Sequence, residues 1–205
     1  MTKVEPILLI GAGGHCKSCI YVLSTLDNYQ AVGIVDKKVS NVNEVLGIKV
    51  IGTDSDLELL IQKFTNVLIA VGQIKSPDLR IKLFQSAKSL GASFPVVLSP
   101  TAHIAKTAML GEGTICFHQT IVNASANIGS NCIINNKALI EHDTHVGSHC
   151  HISTGALVNG EVFIEDGCFI GSGAILHEGV KIGANSVIGA GIVVKEDVPS
   201  RTLLR

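Results

Sequence analysis

The 205-residue chain follows two different rules for where its apolar residues fall. Up to residue 98, short apolar runs alternate with segments of helical spacing. Ile7-Leu8-Leu9-Ile10 predicts a buried strand that ends at Gly11-Ala12-Gly13-Gly14. Cys16 to Leu26 predicts a helix, and Ala31 to Val35 a second strand ending at Asp36. Asp54 to Phe64 predicts a helix capped by Thr53 or Asp54. Val67 to Val71 predicts a third strand, closed by Gly72. Pro77 to Leu90 predicts a helix with proline in its first turn and Gly91 just past its end. Phe94 to Leu98 predicts a last strand. A βαβαβαβ order of this kind builds a small parallel sheet with helices on its faces, an α/β Rossmann-like domain over 1–98.

From residue 99 to 205 the period changes to six. Ile104, Leu110, Cys116, Val122, Ile128, Ile134, Ile140, Val146, Ile152, Val158, Ile164, Ile170, Leu176, Ile182, Ile188 and Val194 are all apolar. In a chain that is 46% apolar, such a run arises by chance at ~10⁻⁵–10⁻⁶, so the period is real. Two residues before each lies a residue that is nearly always small, such as Ala126, Cys132, Ala138 or Ala156. Gly or Asn often follows, as at Gly111, Asn123, Gly147 and Gly183. A period of six fits neither a lone helix nor a long strand. It predicts a parallel β-helix of hexapeptide repeats, with three hexads per coil and residues about 18 apart stacked. The sixteen hexads amount to roughly five coils with no inserted loop.

Composition adds exclusions. With only 16% charged residues and a mean hydropathy of +0.42, the chain is too apolar for disorder. It has no apolar run long enough to span a membrane. Its net charge of −1 gives nucleic acid no electrostatic foothold. The apolar stretch that follows Glu5 is short and ends in Gly11, unlike a signal peptide, so a cytoplasmic location and reduced cysteines are expected. Of the six cysteines, Cys116, Cys132, Cys150 and Cys168 fall on inward lattice positions as small core residues. Cys16 and Cys19 form a CxxC at a helix start, a spacing shared with redox and metal sites but lacking thioredoxin-like surroundings.

Two places carry candidate chemistry. The Gly11–Gly14 loop follows a strand and opens a helix, so its N–H groups can hold an anion. Asp36 ends the next strand where a dinucleotide fold places a ribose-binding acid, yet Cys16 replaces the third glycine of GxGxxG. The second place is Ile140-Glu141-His142-Asp143. His142 falls two places after a lattice residue and can point outward as a base held by a carboxylate. A plain surface histidine fits as well. His142, His145, His149, Cys150 and His151 together also read as a zinc cluster, although Cys150 points inward.

Ile10-Gly11-Ala12-Gly13-Gly14-His15, joined to a hexapeptide half with Ile140-Glu141-His142-Asp143, resembles the PglD/NeuD-type bacterial sugar acetyltransferases over nearly the whole chain. The resemblance implies a left-handed β-helix and acetyl-CoA as co-substrate, with no metal. It implies N-acetylation of a nucleotide-linked amino sugar, a UDP-4-amino-sugar first. By this match His142 is the general base, Asp143 or Glu141 its carboxylate, and Gly160 the oxyanion donor. Gly13, Gly14, His15, Asp36, Lys37 and Gly72 match nucleotide-binding positions, and Asn135 a residue near the acceptor. His151, Ser172 and Ala190 match positions lining acetyl-CoA. The resemblance further implies a homotrimer with sites between subunits and no nucleic-acid or membrane partner. Family members often end in a Gly-x-Pro-Ala tail, whereas this chain ends Val198-Pro199-Ser200-Arg201-Thr202-Leu203-Leu204-Arg205, so that distal CoA contacts either come from Arg201 or Arg205 or are missing. The alternatives are O-acetylation of a sialic-acid-type sugar, a γ-class carbonic-anhydrase-like zinc protein, and a non-catalytic sugar-nucleotide-binding module.

Overall fold

The computed structural model describes residues 4–37 and 43–205. It forms two compact units, Met1–Gly72 with Asp78–Pro95, and Gln73–Pro77 with Val96–Arg205.

In the first unit, β1 (Glu5–Ile10) is an interior strand of the sheet and buried along Ile7–Ile10, as a strand covered on both faces must be. It pairs in parallel with β2 (Tyr29–Val35) and β5 (Val67–Ile69). α1 (Gly14–Leu23) crosses over between β1 and β2 and buries Cys16, Cys19, Ile20, Val22 and Leu23. A 3₁₀ turn over Asp54–Asp56 leads into α2 (Leu57–Lys63). Thr53 is its cap, closing a capping box in which the Thr53 N–H donates to the Asp56 carboxylate at 2.8 Å. α3 (Asp78–Ser89) stops where Gly91 takes φ +88°, and the Ala92 N–H returns to the Ala87 carbonyl at 3.1 Å. Arg80 on α3 is 1% exposed, and its Nη1 donates to the carbonyls of Ile69 and Val71. A buried guanidinium thus holds the end of β5, and with it the position of Gly72.

Three expectations for this unit change. The helices are shorter than the apolar pattern implies, at Gly14–Leu23, Leu57–Lys63 and Asp78–Ser89. A strand without a sequence expectation, β4 (Ile48–Gly52), lies parallel to β2 and forms a hairpin with β3 (Glu44–Val45). Its turn puts Leu46 and Gly47 at φ +47° and +81°, a geometry normally announced by Asn-Gly. Lastly, Phe94–Leu98 is not a strand of this sheet. Only Val97–Leu98 is extended, and it pairs with Ile115–Cys116 in the second unit.

In the second unit each of the sixteen lattice residues is the second member of a two-residue strand. These strands stack into three parallel sheets at a register of 18, as in Ile121↔Leu139 and Val122↔Ile140. The lattice side chains from Val122 to Ile188 are at most 1% exposed, giving one continuous core. Leu98 and Leu204 extend it by a rung at each end. The last coil is two residues short: Val198 pairs with Ile182 and Leu204 with Ile188.

The inward cysteines do more than fill space. Thr114, Cys132, Cys150, Cys168 and Ser186 stack in one column, and each side chain donates to a corner carbonyl fifteen or thirteen residues on. The acceptors are Gly129, Gly147, Glu165, Gly183 and Pro199, at 2.8, 3.1, 3.2, 3.2 and 3.0 Å. A thiol here plays the part that a hydroxyl plays at both ends of the column. Threonine and valine have the same shape, so they separate donor from filler at Cys150. Cys150→Val leaves the Glu165 carbonyl without its donor and is expected to be about 1–3 kcal/mol less stable than Cys150→Thr. Denaturant unfolding of the two variants measures this, and equal midpoints would mean the thiol acts by volume alone.

Candidate active site

In the first unit the β1–α1 loop is shaped by its first glycine. Gly11 has φ +106°, and a Cβ there would run into Val71 Cγ2. Gly13 and Gly14 face open space. Gly13 is the N-cap of α1, with no side-chain cap and no acid in the first turn, so the helix end is left for an outside anion. It opens on a cleft of about 420 Å³ lined by Ala12, Gly13, Gly14, Lys17, Glu44, Val45 and Leu46. Lys17 and the β3–β4 turn were not singled out in the sequence. Lys17 could have been, since it lies one turn into a helix that follows a glycine loop.

Asp36 accepts a hydrogen bond from the Ala12 N–H at 2.6 Å. Its carboxylate thus holds the loop itself, whereas a dinucleotide fold would spend it on a ribose. Gly72 meets His15, whose Cβ is 3.4 Å from where a Gly72 Cβ would stand. Lys37 is exposed just after β2. Burial pushes the Cys16 and Cys19 thiols up to about 12, with the Asp36 charge adding to the shift at Cys16. Neither is thiolate near neutrality, so the CxxC is core packing.

In the second unit His142 and Asp143 lie at a corner of the β-helix, 52% and 58% exposed. Asp143 has φ +57°, the left-handed corner conformation that Asp tolerates better than most residues. From there its Oδ2 reaches His142 Nδ1 at 2.9 Å. A carboxylate at Nδ1 leaves Nε2 as the free base. The Asp143 hydrogen bond holds the His142 pKa above the usual imidazole value, and the charges of Asp143, Glu141 and Glu161 push the same way. Glu141 bonds Asn123 Nδ2 at 2.8 Å, so it is committed along the coil stack, leaving Asp143 as the partner of the imidazole.

Gly160 stacks one coil on, beneath the ring. A Cβ there would lie 2.8 Å from His142 Cε1 and 2.9 Å from Nε2. Glycine is therefore what lets the imidazole lie down over the next coil. The Gly160 N–H has no hydrogen-bond acceptor among the described residues, so it is a donor available beside the imidazole.

The other expected positions separate. Ser172 and Ala190 are exposed on the same outer corner, one coil apart, and Ser172 shares a 2.9 Å hydrogen bond with Ser153. His151 instead lies on a flat face, 7% exposed, with its ring edge-on to Phe169. Both of its nitrogens are engaged, Nδ1 with the Gln73 carbonyl at 2.6 Å and Nε2 with Asn135 Nδ2 at 3.2 Å. Within the chain the residues of the zinc reading lie apart. His145 stacks on Phe163, His149 bonds Asn131 and Cys150 is fully buried. Among the described residues no three His, Cys, Asp or Glu side chains converge on a metal position, and no helix is long and apolar enough to cross a membrane. His118 is half-buried and bonds Ser99 at 2.6 Å, while His177 is exposed.

Comparison with known proteins adds to this geometry. Residues 6–87 match the PglD N-terminal domain, and residues 161–196 the hexapeptide repeat of succinyl-transferase. PerB from Caulobacter crescentus, solved with CoA and GDP-perosamine, is 32% identical at a TM-score of 0.89, over 99% of this chain and 95% of PerB. The acetyltransferase domain of PglB from Neisseria gonorrhoeae FA1090 is 29% identical at 0.87, over 95% and 93%, and has been solved with acetyl coenzyme A. WeeI from Acinetobacter baumannii AYE, 24% identical at 0.84 over 98% and 96%, shares the fold. No curated protein sequence matches the chain.

The pKa shift gives a signed expectation. A raised His142 pKa means the basic form appears only at higher pH. Asp143→Asn removes the first cause of the shift, so the His142 titration midpoint, followed by NMR, is expected to move down. An unchanged midpoint would remove Asp143 as the partner. Gly160→Ala is expected to displace the imidazole and cut turnover, with little change in Tm because the ring that yields is exposed.

Proposed function

The chain belongs to the PglD-type sugar acetyltransferases, hexapeptide-repeat enzymes with an α/β N-terminal domain, and we propose that it acetylates the amino group of a nucleotide-linked amino sugar. It is an acyltransferase on a left-handed parallel β-helix, and acetyl-CoA is its acetyl donor. The observation that carries the proposal is the His142–Asp143 pair lying over Gly160.

The chemistry follows from that arrangement. The sugar amine attacks the thioester carbonyl carbon, and the new N–C bond makes the nitrogen acidic. His142 Nε2 takes that proton, while Asp143 holds the charged imidazole by its Nδ1–H. The carbonyl oxygen becomes an oxyanion, to which the Gly160 N–H donates. The C–S bond then breaks and CoA leaves as the thiolate, taking up a proton. The transfer is direct: the cysteines are buried, and those in the β-helix core are donors to carbonyls.

We assign the nucleotide to the α1 N-terminus, where Gly13, Gly14 and Lys17 offer N–H groups and a positive charge to a diphosphate. Asp36 shapes that loop through Ala12, and His15, Lys37 and Gly72 border it. We assign His151, Ser172 and Ala190 to the acetyl-CoA groove and Asn135 to the acceptor side. PerB was solved with GDP-perosamine; the sequence reading favours a UDP-4-amino-sugar. Both nucleotide sugars belong in the assay. We further propose a homotrimer with its sites between subunits. One face of the β-helix carries an outward stripe of Ile121, Leu139, Leu157, Ile175 and Val193, apolar surface of the kind that a copy of the same chain covers.

Two measurements test this reading. CoA release with acetyl-CoA and each nucleotide amino sugar is expected to fall by about 10²–10⁴ in kcat for His142→Ala. Near wild-type turnover would remove the base assignment. Light scattering is expected to give about three times the 21.5 kDa chain mass, and a monomer would refute the trimer.

A further inference from the structure

The segment Gln73–Pro77 packs as part of the β-helix unit although it leaves the chain between β5 and α3. Three observations meet there. The Gln73 carbonyl accepts a hydrogen bond from His151 Nδ1–H at 2.6 Å. The Gln73 side-chain amide donates to the Gly167 and Cys168 carbonyls, both at 3.4 Å. Its Oε1 is buried without a partner, in a residue only 3% exposed. A buried acceptor left unpaired costs stability. A leucine would fill the same space without that cost, so this glutamine is not what packing alone would select.

The bonds form a directed chain. A carbonyl can only accept, so His151 Nδ1 must carry the proton. Nε2 is then the acceptor, and the Asn135 Nδ2 amide donates to it at 3.2 Å. Asn135 cannot turn over, because its Oδ1 accepts the Asn136 N–H at 2.8 Å. The amide plane is fixed at both ends, and its second N–H is uncommitted among the described residues.

We propose that Gln73 is a positioning residue for acetyl transfer. Its side chain straps its own carbonyl against coils three and four of the β-helix, and that carbonyl sets the His151 tautomer that aims Asn135. This rests on the reading of Asn135 and His151 as lining the acetyl-transfer site, and it adds a residue 60 or more positions away from them in sequence.

The test uses the full chain. In the ligand-free protein the His151 side-chain ¹⁵N shifts are expected to report a single Nδ1–H tautomer. Gln73→Leu is expected to give a mixture of tautomers and to raise KM for acetyl-CoA or lower kcat by roughly 10-fold. KM for the nucleotide sugar is expected to stay within about twofold, because the glycine-loop cleft is untouched. Gln73→Glu keeps size and polarity but turns a carboxylate toward two carbonyls, so it is expected to behave like Leu and not rescue. An Nε2–H tautomer in the wild type, or a Leu variant with unchanged tautomer and kinetics, would overturn the proposal. Should Gln73→Leu fail to fold, the wild-type tautomer and Gln73→Met decide the matter. If no amino sugar is acetylated, the tautomer arm still tests the strap, so the two readings fail separately.

Discussion

Everything in the second unit depends on one constraint: each residue must sit on its counterpart in a coil about 4.8 Å away, held by backbone hydrogen bonds between parallel strands. At that spacing there is no room for side chains of arbitrary size. Inward positions take one aliphatic and one small residue, and corners take residues that accept left-handed backbone. The low charge and absence of tryptophan follow from that geometry. So does the active corner. His142 reaches over Gly160 because stacking puts them together, and Asp143 meets the imidazole because its corner turns it back.

The first unit works by a different economy. Its sheet is short, and the polar groups at the strand ends decide what the loops can do. Asp36 fastens the glycine loop, and Arg80 fastens the end of β5. Both place charge where backbone groups would otherwise go unsatisfied. The result is a helix N-terminus with no side-chain cap, beside Lys17.

Much of this could be read from the residues. The hexad pointed to every two-residue strand from His103 to Val194 because a single rigid spacing dictates it. The His142–Asp143 pair was visible because adjacent residues need no knowledge of topology. What stayed hidden required contacts distant in sequence. β4 was missed because its turn uses Leu-Gly, and its residues are partly exposed at the edge. Val97–Leu98 was credited to the wrong sheet because two residues cannot say which neighbour they pair with. Gln73 carried no signal at all, since its partners lie 78 and 94 residues away. The cysteines were placed correctly but undervalued, because a sequence shows burial more readily than donation.

Gly160 also has an evolutionary meaning. Its backbone does not require glycine, and no main-chain atom opposes a Cβ; only the imidazole does. A single nucleotide change could therefore push the imidazole off the next coil while the lattice and the glycine loop persist. Two chains of the same shape, one with its imidazole lying over the next coil and one without, are separated by one methyl group, and descendants of such a chain could cross that line without passing through an unfolded intermediate.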